Sequence, residues 1–266
     1  MFKKIITALF MMLIVSCNQS GSNAKSIDKL KQIKESGVLK AGVKYDFKPF
    51  GFTDASGNVV GFDIDLLKYI AKDLGVKVEF QQVTSKTRIP LVAGGQIDIA
   101  AASMTHKVQR DDTIDFTISY FFDGQSILTQ SNSNATSASD FEGKKVGAIQ
   151  GATSGANFKK LIPSANIVSY QEDPQAVMAL KTGKIDAITT DLVWCSSQAK
   201  DSNGKLKVVG DTISFEPYGM GVAENSSNLR DAINFSIQNA VKDGTYTKLY
   251  NKWFGKDPSR LPEVWP

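Results

Sequence analysis

The chain has 266 residues, 42% of them apolar and 22% charged, with a formal net charge of +4. Those values describe a globular protein with a substantial core, in one large domain or two modest lobes. Lys3 and Lys4 lie in a leader expected to be removed. The remaining cation excess is too mild to argue for nucleic acid or an anionic membrane surface, and no Lys/Arg block or basic-aromatic stripe is present.

In chain order, Lys3-Lys4 form a basic start and Ile5 to Val15 an apolar run of eleven residues, too short to span a bilayer as a helix. The run ends Ile14-Val15-Ser16-Cys17, which resembles the lipobox of bacterial lipoproteins, where the cysteine is lipidated and becomes the first residue. Residues 1–17 are therefore expected to be a signal peptide and residues 18–25 a flexible polar tether. The expectation is an exported protein, lipid-anchored through Cys17 at the extracytoplasmic face of a bacterial membrane, in the periplasm or at the cell surface. With Cys17 lipidated, Cys195 has no disulfide partner and reads as a small core residue beside Trp194. His106 is the only histidine, which argues against a zinc site or a Ser-His or Cys-His catalytic pair; no metal or cofactor is expected.

Ile27, Leu30 and Ile33 recur at helical spacing before Gly37, and Val38 to Val43 reads as a strand delivering Lys44 and the loop Tyr45-Asp46-Phe47-Lys48-Pro49-Phe50. Ile64, Leu67, Ile70, Ala71 and Leu74 mark an amphipathic helix ending at Gly75, and Val76, Val78 and Phe80 alternate as a strand. Strands alternating with helices predict an α/β fold, in which ligands bind beyond the carboxyl ends of the strands, where Lys44 lies.

The stretch from Val83 to Phe116 carries the densest chemistry. Ser85 or Thr87 can cap a helix, Pro90 suits its first turn and Gly94-Gly95 ends it. Arg88 then sits in the first turn, where a cation costs about 0.3–1 kcal/mol against the macrodipole, a misfit that an anion would relieve. Ile97 to Ala102 reads as a buried strand ending on Ser103, Thr105 and, after a short loop, Arg110. The plain alternative has Arg88 in solvent and Arg110 paired with Asp111 or Asp112.

Ile127 to Gln130 and Lys145 to Ile149 read as further strands, and Gln150-Gly151-Ala152-Thr153-Ser154-Gly155 as a turn into a helix that presents backbone N–H groups and a hydroxyl. It lacks the Gly-Lys-Ser/Thr ending of a P-loop. An internal echo follows. Leu91 to Ile99 and Met178 to Ala187 both run helix, glycine stop, then Gln96-Ile97-Asp98 or Lys184-Ile185-Asp186. Six residues past the isoleucine comes Ser103 in one copy and Asp191 in the other. If the two units face each other, a zwitterion fits between them; Asp191 is equally the natural N-cap of a helix starting at Leu192.

From about Leu30 to Lys256 the chain resembles the polar amino-acid solute-binding proteins of ABC importers, extracellular solute-binding protein family 3. The motifs are Pro49-Phe50 to Gly61-Phe62-Asp63-Ile64-Asp65, Ile114-Asp115-Phe116, Lys144-Lys145-Val146-Gly147, Tyr218-Gly219-Met220, Asp243-Gly244-Thr245-Tyr246 and Lys252-Trp253-Phe254-Gly255. The resemblance implies a two-lobed periplasmic-binding-protein-like α/β fold of type II, its lobes joined by two hinge strands. Residues 26–124 and 219–266 would form one lobe and residues 125–218 the other, with hinge closure over a ligand in the cleft. It implies a monomer that hands a small amino acid to an ABC permease.

Carried across, Arg110 matches the arginine that grips the α-carboxylate, with Ser103 and Thr105 beside it. Asp191 matches the acid that takes the α-ammonium, Thr153 and Ser154 the turn that caps the ligand, and Phe47 an aromatic that lines the cleft or serves structure alone. Gly42-Val43-Lys44 and Ser85 to Leu91 look like the glutamate/aspartate-binding branch. Counting charges, Arg110 and Asp191 satisfy the amino-acid backbone and leave Lys44 and Arg88 without partners, so an acidic ligand is expected and glutamine is the alternative. Asp173 departs from that branch and weakens the assignment or turns away. Two other classes stay in play. A cyclohexadienyl dehydratase of this fold would carry a glutamate where Gly155 or Ala156 stands, so no enzyme is expected; a sensory module would signal through a separate protein.

Overall fold

The computed structural model describes residues 28–263, and the leader, Cys17 and the tether lie outside them. Among the described residues no helix is long and apolar enough to cross a membrane. Two five-stranded sheets carry the fold. In the first, Lys77–Gln82, Val38–Val43 and Ile99–Ala100 run parallel, followed by Gly221–Ala223, antiparallel to both of its neighbours, and Ile114–Phe116 at the edge. The second repeats the plan. Asn166–Tyr170, Lys145–Ile149 and Ala187–Asp191 run parallel, then Phe121–Gln130 and Leu206–Tyr218 add an antiparallel pair.

The echo seen in the sequence has a structural counterpart. Asp98 accepts a hydrogen bond from the Lys40 backbone N–H, and Asp186 accepts one from the Lys145 N–H, both at 2.8 Å. Each carboxylate sits just before a short strand and pins it to its parallel neighbour, so the two sheets are fastened at the same post.

The chain passes between the sheets twice, through Phe121–Gln130 and Leu206–Tyr218, which pair antiparallel from Phe121 opposite Tyr218 to Leu206 opposite Gln130. The protein is thus two-lobed with two joining strands. One end of this ribbon is fixed in an aromatic cluster. The Phe121 ring lies 4.8 Å from Phe50, 4.9 Å from Phe254 and 5.6 Å from Tyr218. Phe62, at the start of the helix Phe62–Leu74, meets Phe50, Phe121, Tyr246, Tyr250 and Phe254 edge-on. Edge-to-face packing of this kind adds about 0.5–1.5 kcal/mol per pair beyond area burial. The C-terminal helix Thr245–Phe254 supplies three of these rings.

Two strands differ from expectation. Ile97 to Ala102 pairs as a strand only over Ile99–Ala100: at its start the Ile97 N–H still donates to Leu91 O, and at its end Ser103 adopts a left-handed backbone (φ 50°) while the carbonyls of Ala102 and Ser103 turn to a side chain. Ile127 to Gln130 is the far end of a ten-residue strand. Its polar stretch, Asp123-Gly124-Gln125-Ser126, reads as loop yet is buried, with Gln125 donating to Thr189 Oγ1 and Ser154 O and Asp123 accepting from Tyr218. Cys195 is a free, buried core residue as expected.

Phe62→Ala should lower the unfolding free energy by about 3–5 kcal/mol, read by urea denaturation, since it removes a fully buried ring. A loss below about 1 kcal/mol would show that the cluster does not anchor the ribbon.

Candidate functional site

Where the carboxyl ends of both sets of parallel strands meet, a narrow cavity lies between the two sides. Lys44, Ser85, Arg88, Ser103 and Thr105 line it from one side, and Ile149, Ala152, Thr153, Ser154, Thr190 and Asp191 from the other. Seven of the residues singled out in the sequence therefore converge. Arg110 and Phe47 stand behind this lining. A wider hollow near Asn132, Lys144 and Asp186 lies at the opposite ends of the second sheet and gathers no comparable cluster of cations and acids.

Lys44 is not a free cation. Its Nζ lies 2.9 Å from Asp173 Oδ2 across the cleft, with both side chains buried. The same Nζ sits 3.9 Å above the centre of the Phe47 ring, which stacks on Trp194. Phe47 thus supports Lys44 from below rather than lining the cavity. The charge count that leaves Lys44 without a partner is corrected by Asp173, at the start of the helix Asp173–Lys181, where the macrodipole favours a negative charge.

Arg88 opens the helix Arg88–Ala93 and is buried, not solvated. Thr87 stands before it, but its hydroxyl accepts the Thr84 N–H instead of capping. The Arg88 guanidinium donates to the carbonyls of Ala102 and Ser103, which answers the misfit at the helix start. Burial pulls its pKa down to about 9, aided by the nearby Arg110 charge and opposed by Asp191, so it is cationic at neutral pH. The left-handed Ser103 is fixed from behind: its N–H donates to Asp63 Oδ2 at 3.3 Å, and Tyr120 donates to Asp63 Oδ1 at 2.9 Å. Burial pushes the Asp63 carboxyl up to about 7 despite those two bonds.

Arg110 does not pair with Asp111 or Asp112. His106 takes Asp111 at 2.9 Å, and the Arg110 guanidinium donates to Thr105 O at 2.6 Å and, across the cleft, to Gly151 O at 2.9 Å. Gly151 has φ +80°, and a Cβ there would fall 2.4 Å from Ser85 O, so the two sides touch backbone to backbone. Asp191 holds the N-cap position of the helix Leu192–Asp201 without making a capping bond; its carboxylate accepts from Thr190 Oγ1 at 3.2 Å and borders the cavity. Burial raises its pKa to about 6; the neighbouring Asp123, which accepts from Tyr218, is raised by burial and by the Asp191 charge.

Four buried polar atoms around this space have no partner among the described residues: Arg88 Nε, Ser103 Oγ, Ser154 Oγ and Asp173 Oδ1. Buried polar groups are nearly always paired, so these four atoms carry unused hydrogen-bonding capacity beside the cavity. Glu216 was not read from the sequence. It lies buried on the strand Leu206–Tyr218 and accepts from Thr105 at 2.6 Å on one side and from Thr153 at 3.2 Å and Asn157 at 3.0 Å on the other. The available signal is an inverted alternation: Glu216 is in phase with buried Tyr218, while Phe215 faces out, 61% exposed.

A profile of the bacterial extracellular solute-binding proteins, family 3, matches residues 39–256. The chain is similar to the glutamine-binding protein of an ABC transporter from Bacillus subtilis, with 37% identity over 96% of this chain and 97% of that one. It is also similar to the glutamine-binding protein of Geobacillus stearothermophilus, with 38% identity over 79% of this chain and 82% of that one. Among solved structures it is similar to an ancestral arginine-binding protein bound to glutamine, with 41% identity and a TM-score of 0.80, covering 83% of this chain and 99% of that one.

Glu216→Leu strands the buried Thr105 hydroxyl and takes an acceptor from the half-buried Thr153, Asn157 and Ser214, so the variant should lose about 1–3 kcal/mol of stability in urea. Unchanged stability would mean that water replaces the carboxylate.

Proposed function

The chain belongs to the bacterial extracellular solute-binding proteins of family 3, and we propose that it captures a neutral polar amino acid, glutamine foremost, for an ABC importer. The observation that carries the choice of ligand is the ion pair between Lys44 and Asp173. With Lys44 engaged by Asp173, the cations left to meet a ligand are Arg88 and Arg110, at the end assigned to its α-carboxylate, and Asp191 is the acid left for its ammonium. A zwitterion with an uncharged side chain closes this site without adding net charge, whereas a side-chain carboxylate brings one more negative charge beside Asp173. The names borne by the relatives from Bacillus subtilis and Geobacillus stearothermophilus lend weight to glutamine.

In this reading Arg88 and Arg110, with Ser103 and Thr105, form the cationic end that takes the α-carboxylate, and Arg88 Nε and Ser103 Oγ gain their missing partners. Asp191 takes the α-ammonium, Thr153 and Ser154 close over the ligand, and Phe47 holds Lys44 in place. Residues 26–124 with 219–266 move as one lobe and residues 125–218 as the other. Cys17 carries the lipid anchor. The enzyme reading is disfavoured because Gly155 or Ala156 stands where a dehydratase of this fold would carry its glutamate, and a Cβ at Gly155 would already crowd Ala148 Cβ at 3.1 Å.

Calorimetric titration of the protein, unfolded and refolded to remove carried-over ligand, should show tight binding of glutamine and weaker binding of glutamate and aspartate. Preference for either acid would reject the ligand assigned here. The same titration has a pH signature. Asp191 must be ionised to hold the ammonium, and its pKa near 6 falls on binding, so protons are released and affinity declines as pH drops below about 6. Pairs of buffers with different ionisation enthalpies at pH 6 read the release directly. Cys17→Ser should move the protein from the membrane fraction to the soluble one, and continued pelleting with membranes would remove the anchor.

A further inference from the structure

We propose that Asp173 is a specificity-determining residue: by occupying Lys44 it sets the cleft to take a side-chain carboxamide and to refuse a carboxylate. This deepens the amino-acid-binding reading above and rests on it.

The pair is built, not incidental. Its members are 129 residues apart in sequence, come from opposite sides of the cleft, and approach to 2.9 Å with 4% and 2% of their surface exposed. Lys44 lines the cavity, so its charge would otherwise face the ligand. Phe47 below it offers only a ring face. Asp173 lies in the first turn of its helix, where a negative charge is favoured.

Asp46 and Glu172 lie near enough to act on the same charges, but among the described residues only Asp173 comes within ion-pair distance of Lys44. Asp173 Oδ1 has no partner of its own. A carboxamide answers both groups, its C=O accepting from Lys44 Nζ and its N–H donating to Oδ1. A carboxylate offers no donor to Oδ1 and meets a like charge. Sites built on paired hydrogen-bonding groups discriminate more strongly than sites that read shape alone. Removal of Asp173 frees the Lys44 charge, and the preference should turn toward the acid.

The test is titration of glutamine and glutamate into refolded wild type, Asp173→Asn and Lys44→Gln/Asp173→Asn. Wild type should prefer glutamine. In Asp173→Asn the ratio of glutamate to glutamine affinity should rise at least tenfold, equivalent to about 1.4 kcal/mol, and in the double variant that gain should vanish because no free cation remains. Asp173→Ser, also suited to a helix start, takes the place of Asp173→Asn should the latter fail to melt cooperatively.

A ratio within twofold of wild type in the single variant overturns the proposal, as does a gain that persists without Lys44 or a wild type that prefers glutamate. A wild type that binds neither amino acid removes the functional reading itself, an outcome distinct from glutamine binding that Asp173→Asn leaves unshifted.

Discussion

Charge taken out of water has to meet its opposite, and this constraint arranges the space between the two sheets. Lys44 reaches across to Asp173; the Arg88 guanidinium is held by the carbonyls that end a strand; Arg110 bridges Thr105 O and Gly151 O; Glu216 collects donors from both sides. Each of these groups sits at or near the end of a regular element, so sheet register, set by clamps such as Asp98 and Asp186, fixes where the charges stand. Among the polar atoms left without a partner in the described residues, four surround one cavity.

Much of the fold was legible in the sequence because strand and helix periodicities alternate clearly and glycines mark their ends. The convergence of Ser103, Thr105, Thr153 and Asp191 was legible for the same reason, since each follows a predicted strand. What could not be read was partnership. Local sequence places Lys44 at a strand end but carries no sign that Asp173, on a helix of the other lobe, will meet it, and so the charge count went astray. The crossing strand was obscured by its own chemistry: Asp123 and Gln125 look like loop residues until Tyr218 and Thr189 are brought beside them. Glu216 escaped notice because a lone acid in a strand ordinarily faces solvent, and only the outward turn of Phe215 shows that this one does not.

The two ends of the connecting ribbon differ in kind. Phe121 and Tyr218 are packed among aromatic rings of one lobe, whereas the residues that follow Phe121 carry polar groups bonded into the other sheet. Glu216 lies two residues from the anchored end and touches Thr105, Thr153 and Asn157. A carboxylate so close to the anchored end ties together groups from both sides of the cleft. Lys44 and Asp173 are bonded only to each other across the gap.

The bare backbone of Gly151 against Ser85 gives the closing movement a mechanical limit. With no side chain between them, the two main chains come to rest in direct contact, and the width of the shut cleft is set there by atoms that cannot be compressed. A methyl group at residue 151 would work as a spacer, wedged against the main chain of Ser85 and Lys86 and holding the lobes ajar. The volume enclosed at closure is therefore governed in part from the rim.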